Sequence, residues 1–161
     1  MNLANLSPLT TEKTSKKIKL LVFSINNLNV GLHIDTVQKV INYSKIYSSG
    51  LNHYGVVNFD DQEITVIDLY KLLFNIPQSL AETDKKYLLL AYNSNSETFG
   101  IIIKETPSLY DINLEQIRVL PASYRQVDTL KIASHVTIIP QKDTEDLTIF
   151  ILDPDELVAP I

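Results

Sequence analysis

The chain contains no cysteine and no tryptophan, and only four glycines among its 161 residues. Without cysteine there is no disulfide framework, no thiol nucleophile and no thiolate zinc site. Four glycines leave little material for a phosphate-cradling loop, and neither a GxGxxG nor a P-loop pattern occurs. Positive charge is scarce as well: 14 Lys plus Arg stand against 19 Asp plus Glu, a formal net charge of −5. General nucleic-acid binding, which needs a clustered basic surface to displace counterions, is not expected. No stretch approaches the ~20 apolar residues needed to cross a bilayer. The run Leu20–Phe23, preceded by Lys13, Lys16, Lys17 and Lys19, imitates a signal peptide. It is too short for an h-region, and polar Asn26, Asn27 and Asn29 follow at once. The expected location is the cytoplasm, without membrane insertion.

What is present is the composition of an ordinary globular protein, 45% hydrophobic and 20% charged. A chain this long buries roughly two-thirds of its unfolded surface on folding. Residues 1–16, rich in Thr, Ser and Lys, read as a leader, and residues 17–161 as one domain. Ile18–Ile25 and Val30–Ile34 flank an Asn-rich turn and read as a β-hairpin. Val56–Phe59 and Ile64–Ile67, joined by Asp60-Asp61-Gln62-Glu63, read as another. Short helices are expected over Asp68–Phe74 and after Asp153, where Pro154 suits the first helical position. A third helical turn over Thr36–Ile41 would place Val37, Val40 and Ile41 inward.

An internal echo organises these pieces. Val30-Gly31-Leu32-His33-Ile34 resembles Phe99-Gly100-Ile101-Ile102-Ile103, and Ile64–Asp68 resembles Ile149–Asp153. A repeated unit of short strands suggests two similar small β-barrels sharing one core. The second carries an insertion over Leu109–Asp128, which holds the only two arginines, Arg118 and Arg125. A linker over Asn75–Lys86 would join them.

No catalytic constellation emerges. His33, His53 and His135 are separated by 20 and 82 residues, which matches no local metal motif. Asp60, Asp61 and Glu63 crowd one turn but lack the donor number and the glycine of a calcium loop, so a solvated hairpin tip is the simpler reading. Asp60-Asp61 and Lys104 superficially resemble a receiver's acidic pair and lysine. The segment between them lacks the long helices that a doubly wound fold requires. No GxSxG is present. Tyr43, Tyr47 and Tyr54 gather in one stretch and read as core-edge packing or an interface. No cofactor is implied.

Taken in order, the motifs resemble the CheW-like domain family. Val30-Gly31-Leu32-His33-Ile34, with Val37, Val40 and Ile41 following, is similar to that family's YGLxIxxVxEVI. Tyr54–Leu69 is similar to its GVxNLRGxIIPVIDLR, and Phe99–Ile103 to its GLLVD. The resemblance spans about Lys17 to Val158 and implies a mainly β fold of two intertwined five-stranded SH3-like barrels around a common hydrophobic core, with short helices. The barrels would lie mainly at 30–74 and 99–150, with room for terminal strands to be exchanged. It further implies a non-catalytic adaptor that couples methyl-accepting chemoreceptors to a CheA-like histidine kinase in motility control, at membrane-associated receptor arrays. Carried over by position, the partner-binding candidates are Val37, Val40, Ile41, Gly55, Val56, Asn58, Asp60 and Asp61. The family's Arg-Gly is Asp60-Asp61 here, its Pro is Thr65, the Arg after Asp-Leu is Tyr70, and the Asp closing GLLVD is Lys104. Charge inversion at the turn should repel an acidic partner. Loss of the glycine leaves Asp61 to supply any positive φ. Two other readings stand beside this one: a small-ligand-binding or hydrolytic β-barrel, and a competitor adaptor that engages one partner only.

Overall fold

Four stretches of this chain bury three or more consecutive residues, and that pattern belongs to strands covered on both faces. They form β1 (Lys17–Ile25), β2 (Leu28–His33), β7 (Tyr87–Tyr92) and β8 (Thr98–Ile103) in a computed structural model, which describes residues 16–43, 47–48, 54–74, 86–125 and 131–158. The remaining strands are β3 (Val37–Asn42), β4 (Tyr47–Ser48), β5 (Tyr54–Phe59), β6 (Gln62–Ile67), β9 (Ser108–Asn113), β10 (Ile117–Val119), β11 (Ala133–Ile139) and β12 (Leu147–Leu152). Single 3-10 turns at Ile34–Thr36 and Leu114–Gln116 precede β3 and β10. The helices are short: α1 (Leu69–Phe74), α2 (Ala122–Arg125) and α3 (Pro154–Val158). The expected leader, the linker up to residue 85 and His53 lie outside the described residues.

The strands form two six-stranded sheets of matching plan. One runs β3-β7-β8-β6-β5-β4 and the other β9-β1-β2-β12-β11-β10. Each contains one parallel contact, β6 with β8 and β12 with β2, among antiparallel neighbours. Each has five strands of six residues or more and one short edge strand, β4 or β10. The sheets curl as two SH3-like barrels, the architecture expected. Most of one barrel comes from β3–β6 and most of the other from β9–β12, with a hairpin exchanged between them. The hairpin β1–β2 pairs with β9 and β12, while β7–β8 pairs with β3 and β6. Each half of the chain thereby contributes a hairpin to the other half's barrel.

The cores follow from strand parity, since alternate side chains face opposite sides. On β1, Leu20 and Val22 enter a private cluster with Ile112, Ile149 and Ile151. Leu21, Phe23 and Ile25 enter a central cluster instead. On β7, Leu88 and Leu90 join Val57, Ile64, Val66 and Ile102 in the other private cluster, while Leu89 and Ala91 point to the centre. The central cluster draws Val30 and Leu32 from one sheet, Ile67, Phe99, Ile101 and Ile103 from the other, and Leu69, Leu73 and Leu157 from the helices. At about 1.5–3 kcal/mol for each large apolar side chain buried, this shared layer holds the barrels together.

Two glycines mark equivalent points where β2 and β8 cross the private cores. A Cβ built on Gly100 would stand 2.9 Å from Leu88 Cδ1 and 3.3 Å from Val66 Cγ2; one on Gly31 would stand 3.1 Å from Ile149 Cγ2. Both points are tight, Gly100 more so than Gly31.

The helical turn expected over Thr36–Ile41 is instead the strand β3, preceded only by the 3-10 turn. The reason is a β-bulge. Val37 pairs with Ala91 and Lys39 with Leu90, so Gln38 is the extra residue. The bulge puts Val37 and Val40, three residues apart, against the same central cluster, and thereby imitates helical spacing.

Candidate partner-binding surface

The hairpin β5–β6 is closed by only two residues, because Phe59 pairs with Gln62. Asp60 has φ 50° and Asp61 φ 63°. A two-residue hairpin turn whose central residues are both left-handed is a type I′ turn, and Asp is one of the few side chains that tolerate it. Both aspartates, not Asp61 alone, carry the positive φ that a glycine would otherwise supply. Both are exposed, as are Asn58 and Glu63, which face each other across the hairpin. The tip therefore gathers an amide and three acids on one solvated end. A cation reaches it from β3: the Lys39 ammonium sits 4.5 Å from the centroid of the Phe59 ring, immediately before Asp60.

The other expected site residues lie elsewhere. Val37 and Val40 pack half-buried against the central cluster, and Ile41 against the private cluster of its barrel. Gly55 is buried opposite Val66, and Val56 is half-buried opposite Thr65. The structure thus brings Asn58, Asp60 and Asp61 together at the surface and assigns the five other positions largely to packing.

Tyr43, just after β3, packs partly buried against the private cluster of this barrel. Its backbone N–H donates to the Lys86 carbonyl at 3.2 Å, and the Lys86 ammonium lies 5.3 Å from its ring centroid. Burial, followed by the charge of Asp68, pushes the Tyr43 hydroxyl pKa up. Tyr47 and Tyr54 lie on β4 and β5 at the backbone level. The equivalent of Tyr43 in the second barrel is Leu114, whose N–H donates to the Lys16 carbonyl at 2.9 Å, yet its side chain is 45% exposed.

The second barrel presents a different outer face. In register, Val136 pairs with Phe150 as Val56 does with Thr65, and Ile138 pairs with Thr148 as Asn58 does with Glu63. Ile138 is 51% exposed and Val119, on the neighbouring β10, 68%. Sequence reasoning missed both. Along Val136-Thr137-Ile138-Ile139, Thr137 is buried and bonds through Oγ1 to the Gln116 carbonyl at 2.9 Å. The polar residue faces in and Ile138 faces out, the reverse of the pattern hydropathy suggests.

The two described histidines make separate local contacts. The His33 ring half-caps the turn before β3, with Nδ1 accepting from the Asp35 N–H at 3.1 Å, and His135 Nδ1 lies 2.7 Å from Ser134 Oγ on β11. Among the described residues no three of His, Asp and Glu gather in a metal-binding arrangement. Two surface carboxylates have pKa values held below the usual range: Asp111 by its hydrogen bond and ion pair with Lys19 at 2.9 Å, and Asp155 by bonds from Ser94. Neither belongs to an enclosed site. No described helix is long and apolar enough to cross a membrane.

Comparison with known proteins agrees with this architecture. The family model described as CheW-like domain matches residues 19–160. The crystal structure of the scaffolding protein TtCheW from Thermoanaerobacter tengcongensis superposes with a TM-score of 0.69 at 19% sequence identity, covering 91% of each chain. A search of curated proteins found no match. In this chain the β5–β6 tip presents two carboxylates, with Lys39 over the neighbouring Phe59 ring.

Proposed function

The chain belongs to the CheW-like domain family, and from that premise we propose that it is a non-catalytic adaptor that couples a chemoreceptor to a CheA-like histidine kinase in the control of motility. The observation that carries this reading is the family match over residues 19–160, on a fold whose two barrels share one core. Members of this family are chemotaxis scaffolds, and the protein works in the cytoplasm at receptor arrays. Its chemistry is surface complementarity. The candidate contacts are Asn58, Asp60 and Asp61 at the hairpin tip, with Val56, Gly55, Val37, Val40 and Ile41 shaping the strands that present them.

A second reading rests on the tip. Acidic side chains where the family carries Arg-Gly suit a competitor that engages one partner and cannot bridge two, because like charges across an interface slow encounter and weaken docking. Titration of the purified protein against the histidine kinase and the receptor encoded beside its gene separates the readings. Binding to both, with a ternary complex, supports the adaptor; binding to one alone supports the competitor. No binding to either well above micromolar concentration overturns both. In the double variant Asp60→Arg, Asp61→Gly, kinase affinity should rise on the order of tenfold and depend on salt, the scale of a close charge pair. Unchanged affinity would remove the charge argument.

A further inference from the structure

The two barrels differ at the residue that follows the outer strand. In the first, Tyr43 follows β3 and packs half-buried on the private cluster beside Ile41 and Phe59. In the second, Leu114 follows β9 at the equivalent point and is 45% exposed. Four aliphatic residues near it, Ile18, Ile117, Ile139 and Leu147, are only half-buried on their own private cluster. The 3-10 turn Leu114–Gln116 ties them into one surface. The Leu114 N–H donates to the Lys16 carbonyl at 2.9 Å, two residues before Ile18. The Gln116 carbonyl accepts from Thr137 Oγ1 at 2.9 Å, two residues before Ile139, and Ile139 pairs with Leu147.

Beside this surface one acceptor is left over. Asn113 Oδ1 is buried and has no hydrogen-bond partner among the described residues. Asn113 lies opposite Lys17 in the ladder, and its side chain makes no capping bond to the 3-10 turn. A buried acceptor without a donor is costly, so a donor from outside the described residues is expected there.

The chain itself arrives at this spot. Lys16 is the first described residue, and residues 1–15 before it contain Leu3, Leu6 and Leu9. Leu9 stands seven residues before Lys16, a separation that an extended chain covers with a reach of up to about 25 Å. From β1 to β11 there are three strand spacings, about 14 Å along the barrel wall.

We propose that residues 1–15 act as an intramolecular strap on the second barrel, with Leu6 and Leu9 covering Leu114, Ile139 and Leu147 and a backbone N–H of the strap donating to Asn113 Oδ1. Apolar burial supplies the attraction, and the short tether raises the effective concentration of the two leucines. A partner that docks on this face must first displace the strap. The inference does not rest on the receptor–kinase reading: a chain that binds no kinase passes or fails the same test.

Because the chain has no cysteine, Ser7→Cys accepts a single nitroxide label between Leu6 and Pro8. In the isotopically labelled full chain, the amide signals of Leu114, Ile117, Ile139 and Leu147 should broaden, while those of Val57, Asp61 and Ile64 in the first barrel should not. Adding Leu6→Ser and Leu9→Ser should lower the ratio of docked to undocked strap on the order of tenfold, and the broadening with it. Broadening spread evenly over both barrels, no broadening at Leu114 and Ile139, or an unchanged pattern in the Leu→Ser chain overturns the proposal. So does equal broadening of isotopically labelled chain that carries no nitroxide when it is mixed with nitroxide-labelled chain, since a second copy would then supply the covering segment.

Discussion

The two barrels are built to one plan and finished differently. Strand for strand they correspond: β3 with β9, β7 with β1, β8 with β2, β6 with β12 and β5 with β11. Glycine occupies the same interior point in each, and an aspartate begins the helix after each closing strand. Asp68 Oδ1 accepts from the Lys71 N–H at 3.2 Å and Asp153 Oδ1 from the Asp155 N–H at 3.0 Å. The interiors have been held to a common geometry by packing, which tolerates little change in volume. The ends have not. One barrel finishes β5–β6 with a two-residue acidic turn and packs Tyr43 against its private cluster; the other finishes β11–β12 with a longer polar connection and leaves Leu114, Val119 and Ile138 exposed. The duplicated core supplies the frame, and the divergent surfaces make its two sides chemically distinct.

The largest perturbation should come from the layer both barrels share. Phe99→Ala removes a fully buried ring from the central cluster and should destabilise by about 3–5 kcal/mol. Because that cluster belongs to both sheets, urea unfolding followed by separate probes in each barrel should show both transitions moving together. Independent midpoints would break the picture of one cooperative unit.

A smaller effect sharpens the comparison. Gly100→Ala forces a methyl group against Leu88 and Val66 and should cost about 1–3 kcal/mol, while Gly31→Ala meets its nearest atom, Ile149 Cγ2, at a longer distance and should cost less. Reversal of that order in denaturant midpoints would show that the second barrel is the tighter one.

At the next level stand the caps. Asp153→Ala should lower stability by about 1 kcal/mol, the usual worth of a helix N-cap, and Asp68→Ala by at least as much, since its carboxylate also acts on Tyr43. A smaller loss at Asp68 than at Asp153 in denaturant midpoints would remove that difference.

The least pronounced difference concerns alkaline pH. The Tyr43 hydroxyl has a folded-state pKa raised above its ordinary value of 10.0. Its contribution is therefore complete below about pH 10 and fades as pH rises through the folded value, where the buried phenolate would have to form. Tyr43→Phe should flatten the alkaline decline in melting temperature. The aliphatic Leu114 gives the second barrel no titrating counterpart. An unaltered alkaline limb would remove Tyr43 from the account.

Much of the fold is legible in local stretches of the chain. The hairpins β1–β2 and β5–β6 follow from apolar runs around turn formers, and the helix starts follow from Asp68 and from Asp153 with Pro154. The echo of Gly31 in Gly100 marks the duplication. These are local signals: turn chemistry, capping and hydropathy act within a few residues. The strand β3 escapes them because one bulged residue, Gln38, shifts the parity of everything before it, so that Val37 and Val40 take on helical spacing. Of the expected surface residues, Asn58, Asp60 and Asp61 are readable because a polar turn has nowhere to go but outward.

What the sequence determined by itself is the inventory: no cysteine chemistry, no phosphate loop, two related strand-rich halves and an acidic turn at Asp60-Asp61. Tertiary structure decided the rest. It placed the hairpin β1–β2 in the far barrel, since its parallel pairing joins Val30 to Phe150, at the other end of the chain. It turned Ile138 to solvent because Thr137 found the Gln116 carbonyl inside. It assembled Glu63, Glu97, Asp35 and Asp155 around one turn from four separate segments. Local propensity cannot encode such meetings, because they exist only once the two halves of the chain have closed over their common core.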